Sequence, residues 1–139
     1  MKLLHLDFLP RSGDLGLLVL RLTFGAGLLY LHGWGKLTDF GNLRLKFPDP
    51  LGVGSMPSLT LAVFAEVICA GLIVLGAYTR LAALAGAITM GVAFFLVHGG
   101  KLSGPGSGEL ACAYLAAFAA LFVAGAGRYS LDAKLGAKI

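Results

Sequence analysis

Four continuous apolar stretches, each about as long as a membrane-spanning helix, constrain the fold of this chain more than any other sequence feature. They cover residues 15–37, 57–77, 81–98 and 109–127. A helix that crosses the hydrocarbon core of a bilayer needs ~20 mostly apolar residues. Of the 139 residues, 58% are apolar and 13% are charged, whereas soluble domains average ~25% charged residues. We therefore predict one membrane domain over residues 1–139, which argues against a soluble enzyme, a disordered chain and a disulfide-rich secreted domain.

The stretches favour helices over the strands of a membrane β-barrel. Barrel strands alternate lipid-facing apolar residues with polar residues that face the lumen, but these stretches are continuously apolar and rich in Ala, Gly and Leu. Their glycines allow helices to approach each other closely. Residues 78–80 are the whole connection between the second and third stretches, so these two form a tight antiparallel hairpin. We predict an all-α, four-transmembrane-helix bundle.

The distribution of basic residues predicts an orientation. Four spans place both termini on the same side of the membrane, and loops with more Lys and Arg tend to stay in the cytoplasm. With cytoplasmic termini, the inner side carries six bases: Lys2, Arg11, Arg80, Arg128, Lys134 and Lys138. The outer side carries four: Lys36, Arg44, Lys46 and Lys101. We expect a multi-pass membrane protein with both termini in the cytoplasm.

Short motifs occur twice in the same order and predict an internal two-helix repeat. The sequence LHGWGKL at 31–37 corresponds to VHGGKL at 97–102, and EVIC at 66–69 corresponds to ELAC at 109–112. Both even-numbered spans then close on Gly-Ala followed by an arginine, Arg80 in one half and Arg128 in the other. Because both copies run in the same direction, we expect a pseudo-twofold axis along the membrane normal.

Four ionisable residues from four different spans gather in the outer half of the predicted bundle. At ~1.5 Å of rise per residue, His32, His98 and Glu109 lie ~25–28 Å from the inner side and Glu66 lies ~21 Å from it. The pattern predicts a rim of the first three above a deeper Glu66. An ionisable group within a span costs ~2.5–3.5 kcal/mol and indicates a functional site by default. Glu66 must be protonated or paired, and His32 and His98 are the nearest candidates.

Simpler roles exist for most of these residues. His32 and His98 stand at helix ends, where an imidazole caps carbonyls or faces lipid headgroups, and the helix dipole favours Glu109 at a helix N-terminus. Glu66 has no such explanation. Arg21 lies ~9 Å from the inner end, so it either extends to headgroups or needs a carboxylate, and no acid is apparent at its depth. We expect Arg21, Arg80 and Arg128 to be structural or lipid-facing.

The chain offers few signals for a particular cofactor. It contains no closely spaced metal-ligand pair, so no metal is assigned, and no basic run with aromatics that indicates nucleic acid. Cys69 and Cys112 are interpreted as packing residues; a disulfide between them is not favoured, and the sequence leaves open whether they are redox-active. A polar rim above an apolar slot fits a quinone or a lipid headgroup better than a haem.

The motifs resemble the DoxX family of small four-span bacterial membrane proteins. The resemblance covers about residues 15–133 and rests on Leu20-Arg21, LHGWGKL at 31–37, Glu66 with Gly71, LGAYTRLAA at 75–83, His98, Glu109 and GAGRYSLD at 125–132. It implies a four-helix inner-membrane bundle. The family name comes from a membrane subunit associated with quinone-linked thiosulfate oxidation, and similar proteins are linked to redox-stress complexes. His32, Glu66, His98 and Glu109 are the matching positions of the expected site.

Three functions follow as hypotheses. The first is a subunit or accessory factor of a quinone-linked redox system that binds a quinone or a partner oxidoreductase near Glu66, and the sequence leaves open whether this is an enzyme. The second is a small proton-coupled transporter or lipid-binding carrier. The third is a structural subunit of a larger membrane complex. The expected partners are the lipid bilayer, a membrane or peripheral oxidoreductase and further copies of the chain.

Overall fold

A computed structural model describes residues 12–136 together with Leu4. Four main helices follow one another: α1 (Gly13–Thr38), α2 (Ser55–Leu75), α3 (Thr79–Val97) and α4 (Glu109–Ala124). Two short helices, Phe40–Leu43 and Leu131–Lys134, lie in the connection after α1 and after α4. The prediction of an all-α bundle is confirmed, since the described residues contain helices and turns and no strand. Lys2, Arg11 and Lys138, which entered the orientation argument, lie outside the described residues.

Three of the four helices are long and apolar enough to cross a membrane. The fourth, α4, has 16 residues and is therefore ~24 Å long. It ends three residues earlier than the predicted stretch because Gly125 and Gly127 adopt positive φ angles of 83° and 73°, which end a right-handed helix. The observed bounds of α1, α2 and α3 differ from the predicted stretches by one or two residues at each end.

A very short turn joins α2 to α3. Gly76 ends α2 with a φ of 69°, and Tyr78 has a φ of 47°. The carboxylate of Asp132 accepts hydrogen bonds from the backbone N–H groups of Tyr78 (2.7 Å) and Thr79 (2.9 Å), so it caps the N-terminus of α3. We call this end of the bundle the tight-turn end and the other end, with residues 39–54 and 98–108, the long-loop end.

Small residues let the helices pack closely. A Cβ atom added at Gly25 would lie 2.9 Å from Val74 Cγ2, and one added at Gly86 would lie 2.9 Å from Phe118 Cδ2. Around them, the core contains the fully buried side chains of Leu28, Ile73 and Phe118. α3 and α4 pack together along their length, whereas the first half of α2, Ser55–Val63, makes little contact with α3. α2 and α3 therefore diverge toward the long-loop end.

Candidate functional site

A cavity of about 660 Å³ occupies the space where α2 and α3 diverge. All four main helices and both connections at the long-loop end contribute to its wall, and most of the lining side chains are apolar. Its ionisable and phenolic lining residues are His32, Lys36, Glu66, His98 and Tyr114. The volume falls within the ~300–1,000 Å³ typical of small-molecule sites. The cavity thus combines an apolar wall with a small polar cluster.

An ion pair lies in this polar cluster. Lys36 Nζ is 2.5 Å from Glu66 Oε2, and Glu66 is only 6% exposed. Lys36 Nζ also lies 3.4 Å from the carbonyl oxygen of His32. The expectation that a histidine would be the partner of Glu66 is thus wrong: Lys36 stands one turn beyond His32 on the same helix face, and its long stem reaches back into the cavity. The sequence argument assigned Lys36 to the outer surface, and it therefore did not predict this ion pair.

His32 contacts an aromatic residue that the sequence argument did not single out. The rings of His32 and Tyr114 meet edge to face with centroids 5.7 Å apart. Tyr114 is buried, and a Cβ added at Gly27 would lie 2.8 Å from its hydroxyl oxygen. The missing side chain at Gly27 therefore leaves room for this hydroxyl beside α1. Tyr114 lies five residues after Glu109 in an apolar helix. No other feature of the sequence marks it as a site residue.

His98 lies at the end of α3 and is half-buried. Its Nδ1 atom is 3.0 Å from the carbonyl oxygen of Gly106. Since a carbonyl only accepts, Nδ1 carries the proton of this hydrogen bond, and Nε2 remains for a further partner. His98 thus connects the second loop of the long-loop end to the cavity.

Glu109 is the predicted rim residue that the structure does not place in the cavity wall. It is exposed and forms the first residue of α4, where its backbone N–H donates to Ser107 Oγ at 3.1 Å. Glu66, in contrast, lies in the middle of α2. The two Glu-x-x-Cys motifs of the proposed repeat therefore occupy different positions in their helices. His32, Glu66 and His98 line one cavity, and Glu109 lies outside it.

The helices change geometry at these residues. Leu29–Gly33, Phe64–Cys69 and Ala93–Val97 form π-helical turns. The first contains His32, the second contains Glu66, and the third ends directly before His98. Such turns inside α-helices are frequent at functional sites, since the wider turn redirects a side chain. The pattern of apolar residues in the sequence does not predict these π-helical turns.

A glycine brings α1 and α2 together beside the ion pair. A Cβ added at Gly33 would clash with the Glu66 carbonyl group and would lie 2.9 Å from Val67 Cγ2. This close approach places the backbone of Glu66 directly against α1. The Lys36 side chain, one turn further along α1, can then reach the Glu66 carboxylate.

The first loop covers the cavity at the long-loop end. Phe47, Pro48, Pro50 and Leu51 line the cavity from this loop. Asp49 holds it in place: its carboxylate accepts hydrogen bonds from Ser58 Oγ at 2.7 Å and from the Gly54 N–H at 2.7 Å. These two hydrogen bonds, the Ser58 hydroxyl first, hold the pKa of Asp49 below its usual range.

A second polar cluster lies at the tight-turn end, around Arg21. Arg21 is 1% exposed, and one terminal nitrogen donates to the carbonyl oxygen of Tyr129. Asp132 lies beyond the last predicted span and returns to the bundle at the α2–α3 turn, through its hydrogen bonds with the N–H groups of Tyr78 and Thr79. A side chain at Gly76 would collide with the Arg21 guanidinium.

The other two arginines are exposed. Arg80 Nε donates to the Phe122 carbonyl at 2.9 Å, and its guanidinium lies over the Phe122 ring at 5.5 Å. The backbone N–H of Arg128 donates to Asp14 Oδ1 at 2.9 Å, which joins the start of α1 to the segment after α4. Both arginines therefore contact the protein at the tight-turn end while facing its surroundings.

Cysteines and metal ligands add little to the site. Cys69 is buried, Cys112 is half-buried, and both are free thiols. Within residues 12–136, no group of three His, Cys, Asp or Glu side chains is arranged to hold a metal ion. The chemical groups available in the cavity are therefore its apolar wall and the hydrogen-bonding side chains of the polar cluster.

Together, the apolar helices and the mainly apolar cavity with its polar cluster define a small helical membrane protein with an internal cavity. The sequence profile of the DoxX family matches residues 16–99. The chain belongs to the DoxX family, and its apolar helices make it an integral, multi-pass membrane protein in contact with lipid.

One relative of this chain is an uncharacterized protein of Haemophilus influenzae. The two are 32% identical over 114 residues, which cover 78% of this chain and 83% of the relative. The comparison with solved structures found no match.

Proposed function

We propose that this DoxX-family protein binds a quinone in the cavity beside Lys36 and Glu66 and serves as a subunit or accessory factor of a membrane redox system. The observation that carries the proposal is the placement of an ion pair, between a half-buried Lys36 and a buried Glu66, in the wall of a cavity of about 660 Å³ that is otherwise mainly apolar. A quinone has an apolar ring and carbonyl oxygens that accept hydrogen bonds. The Lys36 ammonium and the ring N–H of His32 are donors of the matching kind.

Direct binding tests this proposal. The purified protein in lipid nanodiscs is titrated with decyl-benzoquinone, alongside Glu66→Gln and Lys36→Met variants. Glu109→Gln and Lys101→Met are matched controls, since these residues carry the same charges at the long-loop end but do not line the cavity. We expect the cavity variants to weaken binding by about tenfold or more, equivalent to ~1.4 kcal/mol, and the controls to bind like the wild type.

Two results would refute the binding proposal. One is a wild-type protein that does not bind the quinone. The other is equal binding by the cavity variants and by the two controls. A Glu66→Gln, Lys36→Met double variant, which leaves no unpaired charge, separates a loss of binding from a loss of folding.

The proposed partner is a membrane or peripheral oxidoreductase, and the resemblance to redox-associated family members supports it. We also propose that the chain associates with further copies of itself. Cross-linking in native membranes followed by purification tests both. Specific recovery of an oxidoreductase supports the redox role, whereas recovery of the chain alone contradicts a stable redox complex.

We propose that the protein resides in the bacterial inner membrane with both termini in the cytoplasm. Lys36 is engaged by Glu66 within the bundle, so it no longer counts as a free loop base, and the excess of inner over outer bases increases. Labelling of single cysteines introduced at position 134 and at position 46 tests the orientation. Labelling of position 134 from the periplasm would contradict it.

The ion pair also supports the alternative of a small proton-coupled transporter or lipid-binding carrier, since paired ionisable groups inside a membrane are typical of proton relays. In proteoliposomes, solute uptake driven by a pH gradient and abolished by Glu66→Gln would favour the transporter. Quinone binding without such uptake favours the redox role.

A further inference from the structure

The cavity wall has a gap that faces the lipid. Leu61 and Phe64 of α2 and Ile88 of α3 all line the cavity, yet they are 54%, 51% and 59% exposed on the outer surface of the bundle. Lining residues of a closed cavity would be buried. These three side chains therefore mark one opening of the cavity, away from the exposed lining residues of the long-loop end, Leu51, Val97 and Leu110.

The gap lies within the spanning part of the two helices. Counted from the tight turn, Ile88 is ~14 Å along α3, while Phe64 and Leu61 are ~17 Å and ~21 Å along α2. These positions are near the middle of helices that are ~30 Å long. The first half of α2 also makes little contact with α3, so the two helices leave the gap open at this depth.

The first loop covers part of the cavity at the long-loop end. Phe47, Pro48, Pro50 and Leu51 line it from the first loop, and Asp49 fastens this loop to Ser58 at the start of α2. The gap between α2 and α3 lies away from this loop, so a molecule can enter it from the bilayer without any change in these contacts.

The charges at the polar end of the cavity determine which kind of molecule can bind there. Lys36 and Glu66 neutralise each other at 2.5 Å, so an anionic headgroup would have to compete with Glu66 for Lys36. An uncharged head that accepts hydrogen bonds meets no such competition. The half-buried His32 and His98 rings supply further hydrogen-bonding atoms at this end.

We infer that the ligand is an uncharged, tailed amphiphile that moves sideways from the bilayer into the cavity between α2 and α3. Its head lies beside Lys36 and Glu66, and its tail leaves through the gap formed by Leu61, Phe64 and Ile88. This inference rests on the proposed binding of a quinone in the cavity and adds the route, the orientation and the requirement for a neutral head.

Photolabelling in nanodiscs tests the orientation. The probe is a decyl-benzoquinone with a diazirine near the end of its tail, and labelled residues are mapped by mass spectrometry. We expect saturable labelling of residues 61–64 and 88–92 that excess decyl-benzoquinone displaces and oleate does not. Saturable labelling confined to residues 47–51, or displacement by oleate at equal concentration, would overturn the inference but leave quinone binding intact. Absence of saturable labelling would overturn both.

A matched pair of variants tests the route. Ile88→Trp places a large side chain in the gap, and Leu81→Trp places the same side chain on the same helix, where Leu81 is 69% exposed and does not line the cavity. We expect Ile88→Trp to lower probe labelling by about tenfold and Leu81→Trp to leave it within about twofold. Equal labelling of the two variants would overturn the lateral route, since both substitutions lie on an exposed helix surface and should fold alike.

Discussion

Lys36 on α1 and Glu66 on α2 form an ion pair inside the bundle, with 2.5 Å between Lys36 Nζ and Glu66 Oε2. The pair joins the two helices directly at the cavity, next to the close approach at Gly33. It satisfies a carboxylate that would otherwise be buried alone, and it sets the net charge of the polar end to zero. We expect the stability of the bundle and the selectivity of the proposed site both to depend on it.

Removal of one member of the pair should destabilise the protein more than removal of both. Glu66→Gln or Lys36→Met leaves the other group charged in a poorly solvated place, which costs ~3 kcal/mol. The double variant should recover much of this loss. Thermal unfolding in detergent measures the three variants, with Glu109→Gln as the control. Additive losses in the double variant would contradict a direct interaction between the two side chains.

The close approach of α1 and α2 predicts opposite outcomes for two nearby glycines. Gly33→Ala places a methyl group against the Glu66 carbonyl and Val67, and such overpacking costs ~1–3 kcal/mol. Gly35→Ala meets nothing within 4 Å and should be neutral or gain up to ~1 kcal/mol, because alanine favours the helix. Midpoints of unfolding in detergent compare the two variants. A similar effect of both would show that the helices do not approach each other at Gly33.

The Asp132 carboxylate should determine the stability of the tight turn. Asp132→Ala removes the acceptor for the Tyr78 and Thr79 N–H groups, and the loss of such a cap costs ~1–2 kcal/mol. Asp132→Asn retains one oxygen acceptor and should lose less. Hydrogen exchange of the Thr79 amide measures the effect, and Lys134→Ala in the same short helix is the control. Unchanged exchange in Asp132→Ala would rule out the cap.

Acidification should loosen the first loop through Asp49. Its pKa is depressed in the folded protein, chiefly by the Ser58 hydroxyl. The carboxylate therefore stabilises the loop above the ordinary aspartate pKa of ~3.9, and this contribution is lost as the pH falls through the lower folded value. Ser58→Ala should raise the Asp49 pKa toward the ordinary value. Carboxyl NMR titration measures the pKa, and Asp39→Asn controls for a general charge effect. An unchanged pKa in Ser58→Ala would contradict this role of the hydroxyl.

The helices of this protein were predictable from its sequence, since long apolar runs leave few alternatives in a membrane. The same apolar runs do not predict which side chains meet at the site. Lys36 has the spacing to share a face with His32, but as a base near a helix end it was assigned to the surface. Glu109 was placed at the rim by its depth along α4, but depth along a helix does not tell which way a side chain at its first turn faces. Asp132 lies in a short helix after α4 and contacts the α2–α3 turn, and the apolar pattern of the sequence does not predict this return of the chain.

The central claim is that the cavity beside Lys36 and Glu66 holds a quinone, and native mass spectrometry of the gently extracted protein tests it most directly. We expect the wild type and Glu109→Gln to carry a noncovalent adduct with the mass of a tailed quinone, and the Glu66→Gln, Lys36→Met double variant to lose it. A wild-type protein without such an adduct, after extraction from quinone-containing membranes and addition of decyl-benzoquinone, would contradict the claim. Equal adducts in all three proteins would also contradict it.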